Sequence, residues 1–204
     1  CQVTTLDQPC RVTRTFGWTH NRFVADVHKY EAMAELDGKS PLVWRQGIKH
    51  DCARIMELDT QDDHWINGNG EAVDVEGERV YGLLKSSDLR RFEVSRARKH
   101  VIVTQRRLDE DTLGLQKSAP KLWKYLVRNS EYFERRRSSI YRGKPHFSMF
   151  GVGDYSFALY KVAISGLYKE PYFSLVLPIG NRPVMLDDTC YFLGFDAFLE
   201  ALFT

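Results

Sequence analysis

The sequence predicts an α+β fold with an antiparallel or mixed β-sheet and several helices. Short β-branched and aromatic runs alternate with glycine-containing turns, most densely after Pro145. One long stretch, Ala119 to Arg137, carries apolar residues at helical spacing, with Pro120 suited to a first helical turn. Strands and helices do not alternate regularly, so a parallel βαβ series is not indicated.

The first 43 residues look like a connector with some structure. Thr13 to Val27 alternates loosely between apolar and polar residues, and Asp26 to Leu36 has helical spacing. Gly38 and Pro41 then oppose continuation of a helix. We therefore divide the chain into residues 1–43, a linker or the tail of an upstream domain, and residues 44–204, the main domain.

Both ends of the chain look like cuts. The first residue is Cys1 rather than Met, and the stretch from Asp196 to Thr204 reads as a helix with no capping Gly or Pro after it. We expect a piece of a longer protein, truncated at the C-terminus of its main domain.

The first half of the main domain contains short elements. Leu42 to Trp44 suggests the start of a strand, and Cys52 to Leu58 fits a strand or a helical turn. Asn67 to Gly70 predicts a turn, because Asn and Gly tolerate positive φ. Ala72 to Val75 and Arg79 to Tyr81 would flank a second turn. The β-branched run within Lys99 to Gln105 predicts a strand.

The second half is richer in aromatic residues. Strands are predicted at Phe147–Phe150, Tyr160–Ser165, Tyr172–Leu177 and Val184–Leu193. The glycine-rich run Phe150–Asp154 is followed by an aromatic, strand-like stretch. We therefore interpret it as a bulge or tight turn, not a cofactor loop.

Composition and missing motifs exclude several functions. The hydrophobic and charged fractions, 43% and 27%, are ordinary for a globular protein. No apolar run is long enough to cross a membrane and no signal peptide is visible, so a cytoplasmic protein is expected. The four cysteines form no Cys-x-x-Cys pair, which favours reduced thiols over a metal site. No Asn-Pro or Asp-Pro step, Walker loop, zinc-protease or serine-hydrolase motif occurs. We predict no catalytic, cofactor-binding or metal-binding residue.

Positive charge is concentrated although the net charge is only +2. Residues 90–107 and 121–144 hold fifteen of the 29 basic residues, with Glu93, Glu131 and Glu134 as the acids among them. Arginine predominates there, and its planar fork suits phosphates and guanine edges. This pattern predicts a polyanion partner, although a solvated basic surface would look the same.

Two segments are the strongest candidates for DNA contact. Three consecutive arginines precede two serines and a tyrosine at the predicted helix end, where cations also complement the helix dipole. Small polar residues stand beside cations from Lys85 to Arg91, where Ser87 or Asp88 could instead cap a helix. The aromatics Tyr155, Phe157 and Tyr160 could stack on a base, but their alternate spacing favours core packing. His50, flanked by charged residues, fits a surface or hydrogen-bonding role better than catalysis. The predicted DNA-binding residues are Lys49, Lys85, Ser86, Ser87, Arg90, Arg91, Arg135, Arg136, Arg137, Ser138, Ser139, Tyr141, Arg142 and Lys144.

An ordered set of segments resembles a known family. These segments are Trp44–Asp51, Leu83–Asp88, Val101–Gln105, Ala119–Leu126, Arg137–Tyr141, Phe147–Phe157, Tyr160–Tyr168 and Asp187–Phe192. In this order they resemble the C-terminal target-recognition region of adenine-specific DNA methyltransferases of restriction–modification systems, including polypeptides fused to an endonuclease. The resemblance runs from about Trp44 to the end of the chain.

The resemblance implies a division of labour. The N-terminal half of such enzymes binds S-adenosylmethionine and carries the catalytic tetrapeptide, which this sequence lacks. This chain would be a non-catalytic fragment that recognises double-stranded DNA, works with its own N-terminal methyltransferase domain, and has no membrane partner. The resemblance also implies that the parent flips an adenine from the duplex. A protein-interaction or regulatory module with a basic face, and a nuclease fragment, remain alternatives.

Overall fold

The computed structural model describes residues 14–167 and 171–204, and the chain divides into two compact units, residues 1–41 and 42–204. Cys1, Thr13 and Tyr168, which were named from the sequence, lie outside the described residues, as does Cys10, one of the four cysteines.

The described part of the first unit is a hairpin and a short helix. Strands β1 (Gly17–Thr19) and β2 (Arg22–Val24) pair antiparallel, joined by two residues with positive φ, His20 and Asn21. Helix α1 (Val27–Ala32) begins after Asp26, whose side chain accepts from the Lys29 amide. The helical prediction for this stretch is confirmed.

The second unit contains two mixed sheets and short helices. Its strands are β3 (Arg45–Gln46), β4 (Glu57–Gln61), β5 (His64–Asn67), β6 (Ala72–Val73), β7 (Val80–Leu84), β8 (Glu93–Val94), β9 (Lys99–Ile102), β10 (Tyr160–Ser165), β11 (Phe173–Val176), β12 (Met185–Leu186) and β13 (Cys190–Phe195). Its helices are α2 (Ala53–Met56), α3 (Leu115–Ser118), α4 (Pro120–Arg128), α5 (Ser130–Glu134) and α6 (Phe198–Leu202).

Strand order separates the two sheets. One runs β12-β7-β9-β4-β5-β6 and the other runs β3-β13-β10-β11-β8. The pairs β12–β7 and β11–β8 are parallel, and the remaining strand pairs of both sheets are antiparallel. The predicted α+β class with a mixed sheet is therefore confirmed.

Buried side chains hold the sheets and helices together. The largest cluster joins helices α2 to α5 to the six-stranded sheet, with Leu122, Leu126 and Phe133 packed near Val101 and Ile55. A second cluster combines residues of both sheets: Leu84, Leu89, Val94, Ala163, Val176, Val184, Leu186, Cys190 and Phe192. It fixes the backbone between β7 and β8, because Leu89 and Val94 lie within it.

Several local predictions needed correction. The helix predicted from Ala119 to Arg137 is two helices, since Asn129 interrupts it and its side chain donates to the Tyr125 carbonyl. The predicted strand Phe147–Phe150 is reduced to one bridge between Phe150 and Lys49. Val184–Leu193 splits into β12 and β13 around a turn. The turn at Asn67–Gly70 and the strands β9, β10 and β11 are confirmed, with shorter bounds for β9 and β11.

Candidate nucleic-acid interface

The segment after β3 passes between two other backbone segments. The Gly47 amide donates to the Cys190 carbonyl, Ile48 donates to Leu186, and Lys49 exchanges hydrogen bonds with Phe150. A Cβ on Gly47 would lie 2.1 Å from the Asp187 carbonyl oxygen, so only glycine fits this crossing. The crossing brings the predicted residue Lys49 beside the turn between β12 and β13.

Lys49 is held by two carboxylates. Its Nζ lies 2.9 Å from Asp51 and 2.9 Å from Asp188, and the Gln46 amide donates to the Asp188 carbonyl at 2.7 Å. The hydrogen bond to Asp188, and to a smaller extent the hydrogen bond to Asp51, raises the pKa of Lys49 above its ordinary value. The ammonium is therefore charged, but part of its field is already neutralised.

A buried carboxylate holds the predicted residue Lys85. Glu57 lies 2.7 Å from the Lys85 Nζ and 3.6 Å from the His50 Nε2, and both His50 and Glu57 are buried. The His50 Nδ1 accepts from the Cys52 amide, which leaves the Nε2 facing Glu57. Burial lowers the pKa of His50, so the ring is neutral near pH 7. His50 thus has a structural hydrogen-bonding role, in agreement with the sequence analysis.

The turn after β12 connects this cluster to Ser86. The Thr189 hydroxyl accepts from the Ser86 amide at 3.2 Å and donates to the Asp187 carboxylate at 2.5 Å. Lys49 pairs with Asp188 in the same turn. The structure therefore brings Lys49 close to Lys85 and Ser86, which follow it by more than thirty residues in sequence.

The predicted residues Ser87, Arg90 and Arg91 lie on a backbone excursion between the two sheets. The chain leaves the six-stranded sheet at Leu84, adds β8 to the edge of the five-stranded sheet and returns at Lys99. Asp88 stabilises its first turn by accepting from the Lys85 amide, and it pairs with Arg98. We call residues 85–98 the excursion.

A groove of about 680 Å³ opens beside the excursion. It is lined by Ser87, Asp88, Arg90, Arg91, Glu93, Val94, Ser95, Arg96 and Arg98. Arg90, Arg91 and Arg96 are exposed and have no acidic partner within 4.0 Å among residues 14–167 and 171–204. The groove therefore presents three guanidinium groups without an ion-pair partner, together with the acid Glu93, on a backbone fixed by Leu89 and Val94. Arg96 and Arg98 were not predicted as site residues, although they belong to the basic run at 90–107.

The second predicted segment, residues 135–144, behaves differently. Arg136 turns inward, and its guanidinium group donates to four carbonyls, those of Ser148 (2.7 Å), His146 (2.9 Å), Phe133 (3.2 Å) and His50 (3.4 Å). Its guanidinium carbon lies 3.7 Å from the centre of the Tyr141 ring. Arg136 therefore acts as a structural cross-link, and few of its donors remain for a ligand.

The neighbours of Arg136 divide into paired and unpaired residues. Arg135 pairs with Glu131 at 2.7 Å and Lys144 with Asp109 at 2.9 Å. Ser138 precedes a 3-10 turn, Ser139–Tyr141, and Ser139 is exposed. Burial, followed by the Asp51 charge, raises the pKa of Tyr141 to about 12. Arg137 and Arg142 are exposed and have no acidic partner in the described ranges.

The three aromatics singled out in the sequence do not lie on one strand, as their alternate spacing predicted. Tyr155 and Phe157 lie in a 3-10 turn, Asp154–Phe157, and only Tyr160 begins a strand. Tyr155 packs against Phe192, while Phe157 contacts Tyr81 at a ring distance of 5.6 Å. Both rings are half-buried, so the expectation of packing fits their contacts.

The described residues contain two free cysteines and no candidate metal site. Cys52 and Cys190 are free and buried, and burial raises their pKa values to about 11 and about 12. Within residues 14–167 and 171–204, no group of three His, Cys, Asp or Glu side chains is arranged to hold a metal ion. No helix of that described part is long and apolar enough to span a bilayer.

Comparison with known proteins gives one informative match. No family model matches the chain. The Type II methyltransferase M.NspV from Nostoc sp. is 41% identical over 181 residues, which is 88% of this chain. The matched region is 38% of that relative's length, so the chain spans well under half of it. The chain is thus similar to one part of a Type II methyltransferase.

Proposed function

We propose that this chain is the DNA target-recognition part of an adenine-specific methyltransferase from a restriction–modification system. The observation that carries the proposal is the groove with three unpaired arginines, in a chain similar to part of a Type II methyltransferase. Guanidinium groups without acidic partners are free to neutralise phosphates, and Arg predominates where bidentate recognition is needed.

Binding would use two kinds of contact. Arg90, Arg91 and Arg96 would bind phosphates or guanine edges from a backbone that the core already orders, so little entropy is lost on binding. Ser87 adds a small hydroxyl at the same groove. In the second segment, Arg137 and Arg142 would reach the DNA, while Arg136 holds the segment in shape.

Methyl transfer itself belongs to another part of the proposed parent. The S-adenosylmethionine site and the catalytic groups would lie in the N-terminal methyltransferase domain, which is also this chain's proposed partner. An open aromatic surface on the first unit supports such a partner. Phe16, Trp18 and Phe23 are 61%, 74% and 63% exposed, and Trp18 contacts Phe23 across the hairpin. The opposite face of the hairpin packs on α1, where Gly17 meets Val27.

A surface of three exposed aromatics on 28 described residues is unusual for a module that works alone. The relative is much longer than this chain, so a further protein body is available to cover that surface. We assign the surface to the methyltransferase domain rather than to DNA, because residues 14–41 hold no comparable cluster of unpaired arginines.

DNA binding by the 204-residue chain tests the proposal. Fluorescence anisotropy with labelled duplex should give affinities that fall steadily between about 50 and about 200 mM salt, because counterions are released from the phosphates. Each phosphate contact contributes about −1 to the slope of log K against log salt, so the three groove arginines would account for about −3 of the total slope. No duplex binding at the lowest salt, together with binding to an acidic protein, would favour the protein-interaction alternative.

A further inference from the structure

A second cleft lies away from the excursion, at the other end of strand β7. It has a volume of about 240 Å³ and is lined by Glu78, Arg79, Tyr81, Val103, Arg106 and Phe157. It meets a wider groove of about 670 Å³ at Arg106, which lines both. The DNA contacts proposed above use neither space.

The two arginines of the cleft are oriented but not neutralised. The Arg106 guanidinium carbon lies 4.1 Å from the centre of the Phe157 ring, and this stacking leaves the in-plane N–H groups free. Arg79 donates one hydrogen bond, to the Ser118 hydroxyl at 3.3 Å. Neither has an acidic partner within 4.0 Å in the described part of the chain, although Glu78 lines the same cleft.

A third arginine beside the cleft and two acids of the adjoining groove already have partners. Arg182 stacks on Tyr81 and donates to the carbonyls of Gly77 and Glu78 at 2.7 and 2.9 Å, so it is a structural residue. In the adjoining groove, Asp154 pairs with Arg107 and Asp109 pairs with Lys144.

Glu110 in that groove also has partners, because it accepts from the backbone amides of Arg106 and Arg107. The acids of the wider groove thus all have hydrogen-bond or ion-pair partners, whereas the guanidinium groups of Arg79 and Arg106 have no acidic partner in the described residues. An anion that enters the cleft would meet two uncompensated cations and one acid.

We infer that this cleft binds a backbone phosphate of the nucleic acid, with Arg106 as a bidentate donor and Arg79 as the second cation. Arginine stacked on an aromatic ring presents a fixed fork, and that geometry matches two phosphate oxygens. The inference rests on the proposed function and extends it, because it adds a phosphate contact outside the excursion. Lys144, which reaches the adjoining groove through Asp109, places the second predicted segment beside the same surface.

The test compares two double variants of equal charge change. Arg79→Gln with Arg106→Gln removes both cations of the cleft. Lys117→Gln with Lys124→Gln removes two exposed cations that lie outside it and have no acidic partner in the described residues. The slope of log K against log salt should become shallower by about two units in the first variant and change little in the second. Urea unfolding of each variant checks that the fold is intact.

The outcomes separate this inference from the proposed function. Wild-type chain that binds no duplex at low salt contradicts both. Wild-type binding with an unchanged slope in the cleft variant overturns only the inference. A third arm titrates inorganic phosphate without DNA and follows urea unfolding. If phosphate raises the urea midpoint of the wild type while the cleft variant binds DNA normally, the cleft is assigned to a free anion instead.

Discussion

The two segments rich in arginine and serine are similar in composition, but the fold pairs their arginines to different extents. In the excursion, Arg90, Arg91 and Arg96 are exposed and lack acidic partners among the described residues. In residues 135–144, Arg136 binds four carbonyls and Arg135 pairs with Glu131. The comparison teaches that the density of charge in the sequence does not reveal which cations are available to bind a ligand. Availability depends on which carbonyls and carboxylates the fold brings near each guanidinium group.

The largest effect is expected from Arg136→Ala. The substitution leaves the carbonyls of His50, His146 and Ser148 without a protein donor, while the Phe133 carbonyl keeps the backbone amide of residue 136. It also removes the stacking on Tyr141. We expect the free energy of unfolding to fall by about 3 kcal/mol, measured by urea denaturation. Arg137→Ala is the matched control, since that exposed neighbour should change stability by less than about 0.5 kcal/mol. Equal losses of stability in the two variants would contradict a structural role for Arg136 that Arg137 lacks.

A smaller effect is expected where a predicted DNA-binding cation supports the core. Lys85→Met leaves the buried Glu57 carboxylate with only His50 nearby, which should cost about 2 kcal/mol of unfolding free energy. The double variant Glu57→Gln with Lys85→Met should recover much of this loss, because the buried charge is then absent. A double variant no more stable than Lys85→Met would show that the ion pair is not the cause.

The smallest effect concerns pH. Burial lowers the pKa of His50 in the folded protein below the ordinary histidine value of 6.5, and it lowers the pKa of His100 in the same direction. Between the folded and unfolded pKa values the unfolded chain binds more protons. This contribution to stability is therefore complete above about pH 6.5 and is lost as pH falls below it. His50→Gln should flatten the pH dependence of urea midpoints more than His100→Gln does, because His50 is the more buried. An unchanged pH profile in His50→Gln would contradict the neutral, buried ring.

Much of the fold followed from local patterns. β-branched residues predicted β9, an aromatic and β-rich stretch predicted β10, and the Asn-Gly repeats predicted the turn between β5 and β6. The interruption at Asn129 was missed because the apolar spacing continues across it, while the backbone is redirected by a side-chain hydrogen bond. The 3-10 turn at Asp154–Phe157 was missed since its aromatics alternate as strand residues do.

The candidate site was less predictable than the fold. Basic runs indicated the excursion, but the pairing of Lys49 with Asp188 and of Lys85 with Glu57 joins distant parts of the chain. The cleft of Arg79 and Arg106 likewise combines residues from two strand ends with Phe157 from a later turn. Such contacts depend on sheet order, which a single sequence does not reveal.

The salt dependence of DNA binding tests the central claim most directly. The triple variant Arg90→Gln, Arg91→Gln and Arg96→Gln removes the unpaired cations of the excursion. Lys99→Gln, Lys121→Gln and Arg128→Gln remove three cations that pair with Asp59, Asp74 and Glu71. The slope of log K against log salt should become shallower by about three in the first variant and remain near that of the wild type in the second. Equal slopes in the two variants would contradict the account, because net charge alone would then explain the binding.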